Sequence, residues 1–152
     1  MIKNLGKLCV TLCLLVAGGL VANAQIDSGP QIEANITFAF MVGDTKLPAG
    51  KYEIKSLDGE TSPSILEIRS TDGRTSVSFD TQNAERRDDE VANKTELVFD
   101  KVGDQYFLSQ IWVSGSSTGS ELPKSRMEKR LADSGTKPEK HSIVAFMKHL
   151  KP

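Results

Sequence analysis

The chain has 152 residues, with 19 basic and 20 acidic side chains and a formal net charge of −1. This balance gives no electrostatic reason to expect nucleic acid as a partner. Both cysteines, Cys9 and Cys13, lie near the start of the chain. The remainder therefore lacks the thiol that a cysteine nucleophile, a thiolate metal site or a disulfide requires.

The first 24 residues have the three-part pattern of a secretory signal peptide. Met1–Lys7 carries two lysines, Leu8–Val21 is almost wholly apolar, and Ala22-Asn23-Ala24 offers small residues just before Gln25. The apolar run is shorter than the ~20 residues that a transmembrane helix needs. We therefore expect cleavage after Ala24, export to the periplasm or the medium, and a single secreted β-domain over residues 25–152 with no membrane span.

Strict alternation of apolar and polar residues over Gln31–Val42 predicts the first strand. Turn residues over 43–50 separate it from a second strand. An Asp72-Gly73 hairpin signal joins a third strand to a fourth, and a polar loop is expected over 82–94. The second to fourth predicted strands are Lys51–Leu57, Ser64–Ser70 and Arg74–Thr81.

The second half of the chain predicts a hairpin of Thr95–Val102 and Gln105–Val113. The latter is apolar on both faces, so we expect it at the centre of a sheet. A Gly/Ser-rich segment over 114–120 is expected to be a flexible loop. The segment His141–Leu150 permits a strand or a helix, and its β-branched residues favour a strand.

Ser125 and Glu128, three residues apart, form a capping box that predicts a short helix from about Arg126 to Ala132. Gly135 is expected to close it. Together these elements predict an all-β fold, an antiparallel six- to seven-stranded sandwich or partly closed barrel with one short peripheral helix. The expected core residues are Ile36, Phe38, Phe40, Tyr52, Ile54, Ile68, Val77, Phe79, Phe99, Tyr106, Leu108, Trp112 and Phe146.

Three segments form a recognisable set: Ala34–Phe40 running into the turn Leu47–Tyr52, then Tyr106–Trp112, then Leu122–Arg126. The set resembles a family of small exported bacterial proteins with an F-x-F strand, an LPAGxY turn and an LPKSR segment. That family has no assigned activity, so the resemblance implies export from a bacterium and no catalytic residue. Independently, Pro48 and Gly50 are residues that set a turn and deliver Tyr52 to the core.

Two groups of residues are candidates for binding. In a barrel, aromatic side chains would line a cavity for a small apolar ligand, whereas in a sandwich they fill the core. These residues are Phe38, Phe40, Tyr52, Tyr106 and Trp112. A basic patch on the helix would bind an anionic partner, although it also suits a solvated face. Its residues are Lys124, Arg126, Lys129 and Arg130.

The sequence offers no catalytic, cofactor or metal site. His141 and His149 are eight residues apart, too far along one strand to share a proton or metal. The charged run 85–90 alternates in sign and lacks the ligand spacing of a calcium loop. We expect an exported non-enzymatic binding or envelope-associated domain with a protein partner or a small apolar ligand. The alternatives are a structural or protein-interaction module that uses sheet edges or loops, and a small secreted hydrolase that uses carboxylates or an unrecognised site.

Overall fold

A computed structural model describes residues 31–58, 65–85 and 92–148. They form two mostly antiparallel β-sheets that are not closed into a barrel, with a single helix in these ranges. The all-β sandwich prediction is therefore confirmed, and the partly closed barrel is not observed. The predicted six to seven strands are too few, since the described residues form twelve. The predicted signal peptide, residues 1–24, lies outside the described residues.

The first sheet has five strands, all paired antiparallel. In spatial order they are β12 (Phe146–Lys148), β1 (Gln31–Ile36), β4 (Gly50–Ser56), β5 (Ile65–Ser70) and β6 (Ser76–Asp80).

The second sheet has seven strands, with the apolar hairpin at its centre as predicted. Its main path is β11 (Glu139–Val144), β8 (Glu96–Val102), β9 (Gln105–Trp112), β10 (Thr118–Glu121) and β7 (Gln82–Glu85). A short hairpin of β2 (Phe40–Val42) and β3 (Thr45–Leu47) joins through a parallel contact between β2 and β9.

The first predicted strand is divided between the two sheets. Residues 37–39 lie outside any strand, so β1 belongs to the first sheet and β2 to the second. Ile36 and Phe40, on either side of the break, are both buried. Alternation continues through the corner because the same side of the chain faces the core in both sheets.

Three short strands, β3, β7 and β10, lie where the sequence predicted loops. Their residues are mostly polar or small, and their pairing comes from backbone ladders at the margins of the second sheet.

Gly119 shows why a glycine suits β10. A Cβ at this position would lie 2.6 Å from Cε3 of Trp112, so only a bare backbone fits against the indole ring.

The C-terminal segment is a strand, as predicted, and it also changes sheets. β11 pairs with β8, and after Ala145 β12 pairs with β1. Ala145 and Met147 contact the core, so the residue between them points outward. The prediction that Phe146 is a core residue is wrong, because its side chain is 70% exposed.

The main core lies between the two sheets and draws residues from both. Of the other predicted core residues, Phe38, Val77, Phe79 and Tyr106 are half-buried and pack against the margin of this core. The rest are buried, namely Ile36, Phe40, Tyr52, Ile54, Ile68, Phe99, Leu108 and Trp112.

The helix α1 (Arg126–Asp133) begins and ends where the capping residues predict. The Ser125 hydroxyl accepts a hydrogen bond from the Glu128 amide at 3.0 Å. The Gly135 amide donates to the Ala132 carbonyl at 3.0 Å, with Gly135 at a φ of 91° that favours glycine. These contacts satisfy backbone groups that the helix itself leaves unpaired.

Candidate binding groove beside the helix

α1 lies on the outer face of the second sheet and carries a narrow apolar stripe. Met127 and Leu131, four residues apart, pack against Met41, Val102 and Phe107. Because residues four apart share one face of a helix, this stripe attaches α1 to the sheet. The basic side chains that the sequence analysis identified lie around this attachment.

A groove of about 540 Å³ runs beside the helix. Met41 and Met127 supply its apolar surface, and Arg126, Lys129 and Arg130 supply three exposed cations. A smaller groove of about 250 Å³ shares Asp44 and Arg126 with it and includes Lys124. We refer to the larger of the two as the helix groove.

Asp44 holds the start of the helix to the β2–β3 turn. Its two carboxylate oxygens accept hydrogen bonds from the Arg126 amide at 3.2 Å and from the Arg126 Nε at 3.1 Å. An acid at this end of a helix also faces the positive end of the helix dipole. Asp44 therefore neutralises Arg126, whereas Lys129 and Arg130 form no ion pair with any described residue.

The structure separates Lys124 from the rest of the predicted basic patch. Its Nζ lies 4.0 Å from Oε1 of Glu128, and it lines the smaller groove rather than the helix groove. The predicted patch of four cations is thus a group of three around the helix groove and one lysine beside a buried acid.

Two carboxyl groups are buried where α1 meets β8. Asp100 and Glu128 are 3% and 4% exposed. Burial raises the pKa of Glu128 and the Asp100 charge raises it further, while Lys124 and the Ser125 amide oppose the increase. Lys140 pairs with Oδ1 of Asp100 at 2.6 Å.

Sequence reasoning missed this acid pair. Alternation along β8 places Asp100 on the outer side of the β8–β9 hairpin, which would be exposed to water if nothing covered it. The capping box accounted for Glu128 as part of the helix N-terminus, so no further role was expected for it. The available signal was an acid that directly follows the apolar residues Leu97–Phe99 within a predicted strand. Only the position of α1 over that side of the sheet brings the two carboxyls together.

Four of the five candidate aromatic residues are linked by ring contacts that run through Phe99. Phe40 and Tyr52 meet edge to face in the main core, whereas Trp112 belongs to a separate cluster with Ala84, Ala92 and Val98. Phe38 and Tyr106 stack with ring centroids 3.9 Å apart. The exposed His141 lies against both rings, at 5.3 and 5.5 Å.

The LPAGxY turn has the structural role that the sequence suggested. The Tyr52 hydroxyl donates a hydrogen bond to the Pro48 carbonyl at 2.7 Å. Burial raises the pKa of Tyr52, and the charge of Asp72 adds to this effect. A Cβ on Gly50 would lie 3.4 Å from the Tyr52 ring, an ordinary van der Waals contact, so the turn packs beside the ring.

The remaining candidates give little chemistry in the part of the chain that the structure describes. His149 and residues 86–90 of the charged run lie outside the described residues. Within them, no group of three His, Cys, Asp or Glu side chains is placed to hold a metal ion. No helix in these ranges has the length and apolar character needed to cross a bilayer.

Comparison with known proteins gave no match among protein-family models, curated proteins or solved structures.

Proposed function

We propose that this protein is an exported, non-enzymatic binding domain that takes an acidic segment of a partner polypeptide in the helix groove. The observation that supports this best is the pair Lys129 and Arg130, exposed beside an apolar surface and unpaired within the described residues. An acidic partner would supply the missing counter-charges.

The chemistry of the groove favours a polypeptide with both acidic and apolar side chains. Arginine binds carboxylates through paired N–H groups. Methionine side chains adapt to different apolar partners, and Met41 and Met127 lie between the cations and the sheet. The chain as a whole has a net charge of −1, so the groove is a local basic feature of a nearly neutral protein. Such a feature selects an anionic partner and accelerates its approach.

A non-enzymatic role is supported by where the unusual acids lie. Oδ1 of Asp100 and Oε1 of Glu128 are both shielded from solvent beneath α1. A hydrolase that used this pair would need both carboxyls open to the substrate. The cations of the helix groove are exposed, and cations without an accompanying base or nucleophile provide binding rather than bond cleavage.

The binding proposal is tested by isothermal titration of residues 25–152 with a short synthetic peptide rich in Glu and Leu. We expect the double variant Lys129→Glu, Arg130→Glu to weaken binding by about tenfold or more. The matched control is Lys137→Glu, which reverses an exposed charge outside the groove residues. Binding to the unaltered protein should weaken as salt is added.

Equal affinity for the double variant and the unaltered protein would refute the role of the groove. Hydrogen exchange on the complex gives a second check, because protection should appear in α1. Protection in β11 and β12 instead would indicate that the partner binds at the sheet edges, where Val144 and Phe146 are exposed.

Export is tested separately, since it rests on the pattern of residues 1–24. When the full chain is expressed in a bacterium, the protein recovered from the periplasm or medium should have the mass of a chain that begins at Gln25. Retention of the full-length mass in the cytoplasm would contradict it.

A further inference from the structure

The acid pair formed by Asp100 and Glu128 is unequally supplied with positive charge. Asp100 has Lys140 at 2.6 Å, whereas Lys124, the cation beside Glu128, is 4.0 Å away. Within the described residues, Oε1 of Glu128 and Oδ1 of Asp100 are both shielded from solvent without a hydrogen-bond partner, and only Oδ1 has a cation in close contact. An ionised buried carboxyl without a close cation is costly even though the Ser125 amide donates to it, so Glu128 is the member that gains more from holding a proton.

We propose that Glu128 holds a proton and donates it to the Asp100 carboxylate when α1 is seated on β8, so that loss of this proton as the pH rises loosens the helix. In the protonated state the pair carries one negative charge, which Lys140 balances. In the ionised state two negative charges face each other in a site with little water, and separation of α1 from β8 relieves the repulsion.

The charged and polar groups that face the pair come from each neighbouring element. Lys124 precedes the helix, Lys140 lies on β11, and the Ser109 hydroxyl on β9 lies 3.4 Å from the Lys140 Nζ. Both lysine side chains are more than half exposed, so water screens their attraction for an ionised Glu128. Neither lysine removes the cost of the second buried charge.

The direction of the pH dependence follows from linkage. An acid whose pKa is higher in the folded protein than in the unfolded chain favours the folded state when protonated. Its contribution to stability therefore falls as the pH rises from the ordinary pKa of glutamate through the raised pKa of Glu128. This dependence is opposite to the one that a salt-bridged glutamate gives.

The consequence for binding rests on the proposed function. Three cations of the helix groove belong to α1, so a loosened helix no longer holds Arg126, Lys129 and Arg130 in one arrangement. We expect the affinity for an acidic segment to decline as the pair ionises. Acidic surroundings would then favour capture of the partner and alkaline surroundings its release.

The test is hydrogen exchange of residues 25–152 without a ligand, corrected for the intrinsic pH dependence of exchange. Protection of α1 relative to β8 and β9 should fall by about threefold or more between about pH 5 and about pH 8. Glu128→Gln should abolish this change and keep α1 protected at the higher pH, because a neutral amide also donates to Asp100. Glu121→Gln, which alters an exposed acid on β10, is the control and should behave as the unaltered protein does.

A pH profile for Glu128→Gln that parallels the unaltered protein would overturn the proposal. Low protection of α1 in this variant at every pH would also overturn the proposal, because it would show that a stable α1 needs the Glu128 carboxylate itself. Asp100→Asn provides a second variant and should flatten the profile in the same way. Because no ligand is involved, a pH-dependent helix without peptide binding would refute the proposed function alone.

Discussion

The outer faces of the two sheets differ in whether they are exposed to water or covered by another element. The first sheet faces water with a ladder of charges: Lys148 pairs with Glu33 and Glu53, and Arg69 with Glu67. The outer face of the second sheet is apolar under α1, where Met41, Val102 and Phe107 are buried. The first face needs no cover, whereas the second depends on one short helix.

Two glutamates show what this difference does to a carboxyl group. Burial acts to raise the pKa of Glu67, but hydrogen bonds from Ser76 and Arg69 and the charges of Arg69 and Lys55 lower it overall. Burial raises the pKa of Glu128, which has weaker compensation. Both side chains are less than 10% exposed. The supply of donors and cations, rather than burial alone, therefore sets the direction of the shift.

The largest effect is expected where the helix covers the second sheet. Phe107→Ala should destabilise the protein by about 3–5 kcal/mol, because it leaves a cavity between β9 and α1. Urea unfolding measures this change. Phe146→Ala is the matched control on the first sheet and should cost less than about 0.5 kcal/mol, since that ring is exposed. Similar losses for both variants would remove the contrast between the two faces.

The next effect concerns Glu67, at the centre of the charged ladder. Glu67→Gln should cost about 1–2 kcal/mol at neutral pH, because charge-assisted hydrogen bonds from Ser76 and Arg69 are weakened. The folded pKa of Glu67 is lowered, so its contribution is present above the ordinary glutamate pKa and lost as the pH falls through the lowered value.

Urea unfolding at a series of pH values should therefore show the stability difference between Glu67→Gln and the unaltered protein shrinking in acid. Exposed Glu121→Gln serves again as the control. A difference that stayed constant with pH would mean that Glu67 acts through packing and not through its charge.

A smaller effect is expected at the start of the helix. Ser125→Ala should cost about 1 kcal/mol, because the Glu128 amide loses its acceptor. Hydrogen exchange should assign the loss to α1 and leave the first sheet unchanged. Ser142→Ala, in the exposed strand β11, is the control, and an equal effect there would contradict a capping role.

The smallest effect is expected for Lys148→Gln at the edge of the first sheet. Hydrogen bonds to Glu53 and Glu33 raise the pKa of Lys148, but the group is exposed and water screens its ion pairs. The urea midpoint should change little, and the change should disappear at high salt. A loss that persists at high salt would indicate a packing role for the lysine stem.

Local pattern was a good guide to the central strands and the helix. Apolar patterns bounded by turn residues predicted β1, β4, β5, β6, β8 and β9, and the capping box at Ser125 predicted α1, because these features are set by neighbouring residues. The short strands β3, β7 and β10 have no such pattern. Their polar residues become strands only because a neighbouring edge offers hydrogen bonds.

The candidate site likewise has one part that the local sequence predicts and another part that depends on tertiary packing. The sequence by itself determined that Arg126, Lys129 and Arg130 lie close together, since short spacing on a helix places them so. Only the tertiary structure decided that α1 covers the second sheet, that Lys124 leaves the group, and that Asp100 meets Glu128. Periodicity records which side of an element is apolar, but contacts between distant elements depend on how those sides pack together.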